Sequence, residues 1–232
     1  MNDDAIGGAL LDYYNNESPE DIIVKSSISE DDVIPVPYLF RSAKELPKLE
    51  KKALLLCKGK VLDVGAAAGC HSIILKEKGI NISAIDISLG AVKVMQKRNL
   101  NAQEINFYNV IEQYDTLLFL MNGVGIAGTL KGLDDFLIKA KSLLNEGGQI
   151  LIDSSDISYM FKEEDGSMWV DLNAPYYGEV TYQMQYKNLI TDKFDWLFVD
   201  FKTLKDKATE HGFNIELVFE DENDAYLARL IL

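Results

Sequence analysis

A carboxylate at the end of an apolar run, followed by a turn of very small residues, is the part of this chain best suited to chemistry. Residues 61–69 read Val-Leu-Asp-Val-Gly-Ala-Ala-Ala-Gly. The apolar run carries Asp63, and the turn passes through Gly65, Ala66 and Ala67 to Gly69 before a helical stretch from Cys70 to Lys78. Glycine permits the dihedrals of a sharp strand-to-helix turn, and small side chains let a ligand approach the backbone. The next apolar run, Ile80 to Ile85, ends in Asp86. That is about twenty residues past Gly65, the separation at which an acidic group hydrogen-bonds a ribose. The spacing implies a ligand that contains a nucleoside.

The composition of the turn narrows the choice. The dinucleotide fingerprint needs Gly-x-Gly-x-x-Gly or Ala. Counted from Gly65, its second position is Ala67 and its third is Cys70, so it fails at both. Asp63 at the mouth of the loop would also repel a pyrophosphate. The same carboxylate suits a ligand with an ammonium group and a sulfonium centre, which describes S-adenosylmethionine. A dinucleotide-dependent oxidoreductase is the disfavoured alternative.

Val61 to Gly69 resembles the first motif of class I S-adenosylmethionine-dependent methyltransferases, Asp/Glu-x-Gly-x-Gly-x-Gly, with Ala67 in place of the middle glycine. Asp86-Ile87-Ser88 is similar to the second motif. Tyr114-Asp115-Thr116 with Leu117 to Met121 resembles the fourth strand, and Leu143 to Asp153 resembles the helix-turn-strand after it. The resemblance covers residues 36–155 and extends to the remainder only by general layout.

The resemblance implies S-adenosyl-L-methionine as cofactor, with Asp63, Gly65, Ala66, Ala67 and Gly69 around its methionine portion. Asp86 would accept from the ribose hydroxyls, and Ile87 and Phe107 would sandwich the adenine. Phe107 fits an ordinary core position nearly as well. Asn106 stands where the family has an acidic residue bonding the adenine amino group, and an amide oxygen can accept that bond. Met121 and Asn122 follow the fourth strand at the carboxyl edge, where ligands of open α/β sheets bind. Asn122 then faces the sulfonium methyl or the acceptor, or is a turn residue beside Gly123. Tyr38, Phe40 and Arg41 belong to a segment that folds over the cofactor in similar sequences. Arg41 either pairs with the cofactor carboxylate or lies on the surface. The Asn/Asp-Pro-Pro-aromatic signature of methylases acting on adenine or glutamine amino groups is absent, which argues against those acceptors.

For the acceptor the candidates are Asn122, Asp156 and Tyr177, with Ser154, Ser155, Tyr176 and Glu179 close by in sequence. An activated methyl donor makes a dedicated base optional. If the acceptor must lose a proton, Asp156 and His71 are the candidates. His71, at the start of the helix after the loop, equally suits a place beside the cofactor. His211 reads as a helix C-terminal residue favoured by the dipole.

These residues need a scaffold that brings strand ends together. Predicted strands near 61–64, 81–85, 103–106, 116–121 and 149–153 alternate with helices near 70–78, 89–98 and 133–144, which implies a parallel sheet covered on both faces. Pro47 opens a further helix with Leu49, Ala53, Leu54 and Leu56, and Ile6 to Tyr14 suggests a short capping helix. After Asp153 the alternation stops. Residues 178–200 read as two strands around a turn near Thr191-Asp192, with Val180, Tyr182, Met184 and Tyr186 on one face. A helix near 202–211 and strands near 213–219 and 226–231 close the chain. The expected fold is α/β: a Rossmann-like three-layer αβα sandwich, its seven-stranded sheet mostly parallel with an antiparallel C-terminal strand and a small β insertion. It reads as one domain over 1–232: a cap segment (1–46), a cofactor-binding core (47–155), a substrate-side insertion (156–200) and a C-terminal helix and hairpin (201–232).

Composition bounds the partners. With 47% hydrophobic residues and no apolar run of membrane-spanning length, the chain reads as a soluble protein, and the polar start Met1-Asn2-Asp3-Asp4 does not read as a signal peptide. Cys57 and Cys70 lack metal-ligand spacing and read as reduced thiols of a cytoplasmic protein. A net charge of -14 counts against a nucleic-acid substrate, which needs clustered Lys and Arg. The expected activity is methyl transfer from S-adenosylmethionine to a small molecule. A protein or peptide acceptor, and a chain that binds the cofactor without catalysis, are the alternatives.

Overall fold

Strands covered on both faces read as largely apolar runs, and four such runs become parallel neighbours here, with the short strand Ala102–Glu104 at their edge. In chain order the elements are α1 (Ala5–Asn15), β1 (Ile22–Ser26), β2 (Asp32–Ile34), α2 (Lys48–Leu56), β3 (Lys60–Val64), α3 (Cys70–Glu77), β4 (Asn81–Asp86), α4 (Leu89–Lys97), β5 (Ala102–Glu104) and β6 (Tyr114–Phe119). They continue with α5 (Leu130–Ser142), β7 (Leu144–Ser155), β8 (Glu179–Tyr186), β9 (Leu189–Ile190), β10 (Phe194–Leu197), α6 (Phe201–Glu210), β11 (Asn214–Glu220) and β12 (Ala225–Ile231). The computed structural model describes residues 4–161 and 175–232. Met1 to Asp3 of the polar start, and residues 162–174 of the insertion, lie outside the described residues.

The main sheet has the order β11-β12-β7-β6-β3-β4-β5. β3 to β7 are mutually parallel, and β12 is antiparallel to both its neighbours. Leu133, Phe136 and Leu137 of α5, with Leu204 and Ala208 of α6, cover one face over Leu62, Leu117 and Ile150. Leu49 and Ala53 of α2, with Ile74 and Leu75 of α3, cover the other over Val61, Leu118 and Leu151. This is the expected three-layer Rossmann-like sandwich. Strand alternation sends Asp63 and Asp153 to the second face, toward α2 and α3. β3 has β4 on one side and β6 on the other, so the strand order reverses there and opens a crevice at the carboxyl ends.

A second, antiparallel sheet has the order β10-β8-β1-β2, with β9 paired to β8. β8 and β10 are the expected strand pair, with Phe194 opposite Tyr182. The chain reverses earlier than expected, at Lys187 (φ +51°), where β8 turns into β9. β1 and β2 were not expected as strands, although β1 opens on the β-branched run Ile22-Ile23-Val24. Their partner β8 lies at the far end of the chain, and strand formation depends on such neighbours more than on propensity.

Local chemistry also moves two boundaries. α5 starts three residues early because Thr129 caps it, its Oγ1 accepting from Gly132 N at 3.0 Å. β5 ends early because Asn106 Oδ1 accepts from Tyr108 N at 2.9 Å and opens a 3-10 turn. α1 is the short helix expected at Ile6 to Tyr14, and packs Ala5, Ala9 and Leu10 against Ile22, Val36 and Tyr186. It crosses the start of α4 so closely that a Cβ on Gly90 would overlap the Gly7 backbone. Asp4 caps α1 through Gly7 N (2.9 Å) and also accepts from Ser88 Oγ (3.0 Å) and Gly90 N (2.9 Å).

Candidate active site

The loop after β3 is laced to the end of β4. Gly65 N and Ala66 N donate to Ile85 O at 2.9 and 3.1 Å. Ala67 N donates to Asp86 Oδ2, and Ser88 N to Asp86 Oδ1, each at 2.9 Å. Each carboxylate oxygen keeps a lone pair for a further donor. Burial raises the Asp86 acid above its ordinary value, while the Ser88 and Ala67 amides pull it back. Ala67, where the family motif has glycine, holds left-handed backbone at φ +48°, and Gly69 does so at φ +75° before α3. Left-handed backbone strains an alanine, and the bond to Asp86 holds it there.

A cavity of about 930 Å³ opens from this loop. Gly65, Ala67, Asp86, Ile87, Asn106 and Phe107, all expected at the site, line it together with Tyr108. Its other wall comes from α1 (Ile6, Leu11) and from the second sheet (Met184, Phe194 and Trp196). Phe107 is also part of the core, its ring 5.2 Å from Phe119 and 5.3 Å from Phe136.

Behind the loop lies a buried charge cluster. Arg41 Nη2 donates to both oxygens of Glu50 at 3.1 Å, and His71 Nε2 lies 2.7 Å from Glu50 Oε2. Asp63 accepts from Ser72 Oγ at 2.7 Å. Burial alone would lower the His71 pKa, but hydrogen bonds to Cys70 and Glu50 and the nearby Asp63 raise it well above the ordinary value. The imidazole is therefore held as a cation. Burial raises Asp63, opposed by His71 and Ser72. Arg41 is buried, not on the surface, and its guanidinium lies 3.6 Å over the Tyr38 ring. Among the described residues its Nε and Nη1 have no partner. Buried guanidinium nitrogens without acceptors fit an anion supplied by a ligand.

Asp63, Ala66, Gly69, His71 and, in the turn after β6, Met121 and Asn122 lie outside the lining of the cavity. Met121 and Asn122 both adopt left-handed backbone. Asn122 Nδ2 donates to Leu197 O and its Oδ1 accepts from Ser154 Oγ, both at 3.0 Å, so the amide ties β6 to β7 and β10. Asp156 and Tyr177 come together, the phenol donating to Asp156 Oδ1 at 2.8 Å, but neither lines the cavity. Tyr176 donates to Asp200 Oδ2 at 2.7 Å. His211 caps α6 and lies 2.9 Å from Asp134.

No family model and no curated protein matches the sequence. Among solved structures the chain is similar to an S-adenosylmethionine-dependent methyltransferase from Bacteroides fragilis in complex with S-adenosyl-L-homocysteine, at 44% identity over 98% of this chain and 94% of that one, with a TM-score of 0.93. The chain belongs to the S-adenosylmethionine-dependent methyltransferases. Its cofactor is S-adenosyl-L-methionine, and the sheet order is that of class I. More distant structures share the fold alone. The CcbJ methyltransferase from Streptomyces caelestis has 14% identity over 79% of this chain and 89% of that one (TM-score 0.60). The sugar N-methyltransferase KedS8 from Streptoalloteichus sp has 13% identity over 87% and 95% (TM-score 0.57).

Sequence reasoning about the methyltransferase missed Glu50, Asp153 and Asp4. Glu50 stands beside Leu49 and one turn before Ala53 and Leu54, on the apolar stripe of α2. A charge on that stripe was the available signal. Asp153 and Asp4 gave none, since their partners come from other elements.

Proposed function

We propose that this methyltransferase holds S-adenosyl-L-methionine along the crevice outside β3 and β6, and passes the methyl group to a small molecule admitted under α1 and the second sheet. Arg41 takes the carboxylate of the cofactor through Nε and Nη1, and Asp63 faces its ammonium. The Gly65–Gly69 loop runs along the methionine portion, Asp86 accepts from the ribose, and Asn106 with Ile87 and Phe107 receives the adenine. When bound, the cofactor supplies a methyl group on a sulfonium centre, an electrophile that needs no further activation.

The chain's task is to orient and to exclude water. Positioning of this kind supplies roughly 7–11 kcal/mol in intramolecular analogues. His71, held as a cation by Glu50, acts in the charge cluster rather than as a base. Asn122, Asp156 and Tyr177 lie outside the cavity lining, so in this reading they brace the acceptor side from behind, and Met184, Phe194 and Trp196 face the acceptor. The observation that supports a small acceptor is that one cavity of about 930 Å³ is lined both by the residues assigned to the nucleoside and by Met184, Phe194 and Trp196 of the second sheet. Small-ligand pockets span about 300–1,000 Å³. Two buried free thiols, with Cys57 pushed up to about 12 by burial, support a reducing, cytoplasmic setting.

Turnover with methyl-labelled cofactor tests the reading against a panel of small amines, phenols and carboxylic acids, with basic peptides and RNA as further arms. Label should appear in a small molecule. Label confined to peptide or RNA, or no transfer at all, contradicts it.

A further inference from the structure

Asp153, near the end of β7, is buried on the sheet face shared with Asp63. Its two oxygens hold one turn at both ends. Oδ2 accepts from Met121 N at 3.1 Å, and Oδ1 accepts from Gly123 N at 2.9 Å. Between those amides Met121 and Asn122 stand at φ +65° and +57°, backbone that non-glycine residues hold only under outside constraint. Met121 Sδ lies 3.6 Å from Arg41 Nη2, so the held turn abuts the arginine whose other nitrogens lack partners.

We propose that Asp153 is a positioning residue for the methionine end of the cofactor, its carboxylate holding the Met121–Asn122 turn in the left-handed form against which that end rests. This rests on the donor-site reading above. Only the ionised group accepts both bonds freely; a protonated oxygen turns a hydrogen toward an N–H. Burial pushes the Asp153 acid up to about 6, the Gly123 and Asn122 amides draw it down, Glu50 of α2 raises it and His71 of α3 lowers it. Arg41 beside the turn, Asp63 on β3 and the Tyr226 phenol on β12 are the other ionisable groups around it. Asp153 is therefore ionised at neutral pH and loses its hold as pH falls through about 6.

Titration calorimetry with S-adenosylhomocysteine and with 5′-methylthioadenosine, which lacks the amino-acid end, tests the role. Asp153→Asn keeps the shape but offers one acceptor for two N–H groups. It should weaken S-adenosylhomocysteine about ten- to a hundredfold, the loss expected for a charge-assisted bond, and leave 5′-methylthioadenosine unchanged. In the wild type, S-adenosylhomocysteine affinity should fall between about pH 7.5 and pH 5, and the fall should be smaller in Asp153→Asn, where only Asp63 and Asp86 still titrate at the cofactor. Adding Met121→Gly, which relieves the left-handed strain, should recover part of the loss. Wild-type affinity in the variant, equal weakening of both ligands, or a pH dependence unchanged by the substitution overturns the proposal. If the variant does not fold, a wild-type profile that is flat, or that falls equally for both ligands, overturns it, and a fall through about pH 6 that is steeper for S-adenosylhomocysteine than for 5′-methylthioadenosine supports it. A wild type that ignores S-adenosylhomocysteine at every pH removes the donor-site reading first, and this inference with it.

Discussion

Glu50 receives Arg41 on one side and His71 on the other while almost fully buried. Removing one member of a buried ion group leaves the others uncompensated, at about 3–5 kcal/mol. Glu50→Gln should lower unfolding stability by about that amount in urea titrations; a loss below about 1 kcal/mol, the worth of a surface pair, contradicts the buried cluster. Ala67→Gly removes the left-handed strain in the cofactor loop. It should change stability by no more than about 1 kcal/mol, since glycine also gains unfolded-state entropy, and should leave S-adenosylhomocysteine affinity intact. Affinity that collapses would show that the alanine methyl itself contacts the ligand. At this scale, what was legible was local. Asp63, Gly65 and Asp86 announce themselves because a tight turn and a strand end are written in consecutive residues. The role of Glu50 depends on Arg41 and His71, which tertiary packing delivers.

The Gly7–Gly90 contact lets α1 lie against α4, beside the Ser88 amide that steadies Asp86. Gly90→Ala should push α1 outward, because the overlapping atoms are backbone and cannot rotate away. Overpacking of this kind costs about 1–3 kcal/mol. The expected outcome is weaker S-adenosylhomocysteine binding with faster proteolysis near α1; unchanged rates and affinity would show that α1 does not brace the site. The parallel strands β3, β4, β6 and β7 were readable because burial on both faces demands largely apolar runs, whereas the edge strand β5 exposes Gln103 and Glu104. β1 and β2 were not, because their order comes from β8, which follows all five parallel strands of the main sheet in sequence. The cap segment and the insertion were read as separate stretches, yet they pair in one sheet.

For the whole molecule, the perturbed buried groups act with one sign. His71 titrates above its ordinary value, so its contribution to stability is complete below about pH 6.5 and is lost as pH climbs through the folded value. Asp63, Asp86 and Asp153 are also raised, so their protonated forms favour the native state and that advantage is spent as pH rises through about 6 for Asp153. Thermal midpoints should therefore fall as pH rises above about 6.5, where the unfolded histidine loses its proton first, and His71→Gln should flatten the slope. A wild-type midpoint that stays constant as pH rises above about 6.5 contradicts the raised His71.

The cofactor crevice is tested most directly by titrating S-adenosylhomocysteine into the wild-type chain and into Asp86→Ala in one calorimetric series. The wild type should bind at a single site, and the variant roughly ten- to a hundredfold more weakly, as expected for losing a charged hydrogen-bond acceptor. No heat from the wild type, or equal affinity in the two proteins, would contradict it.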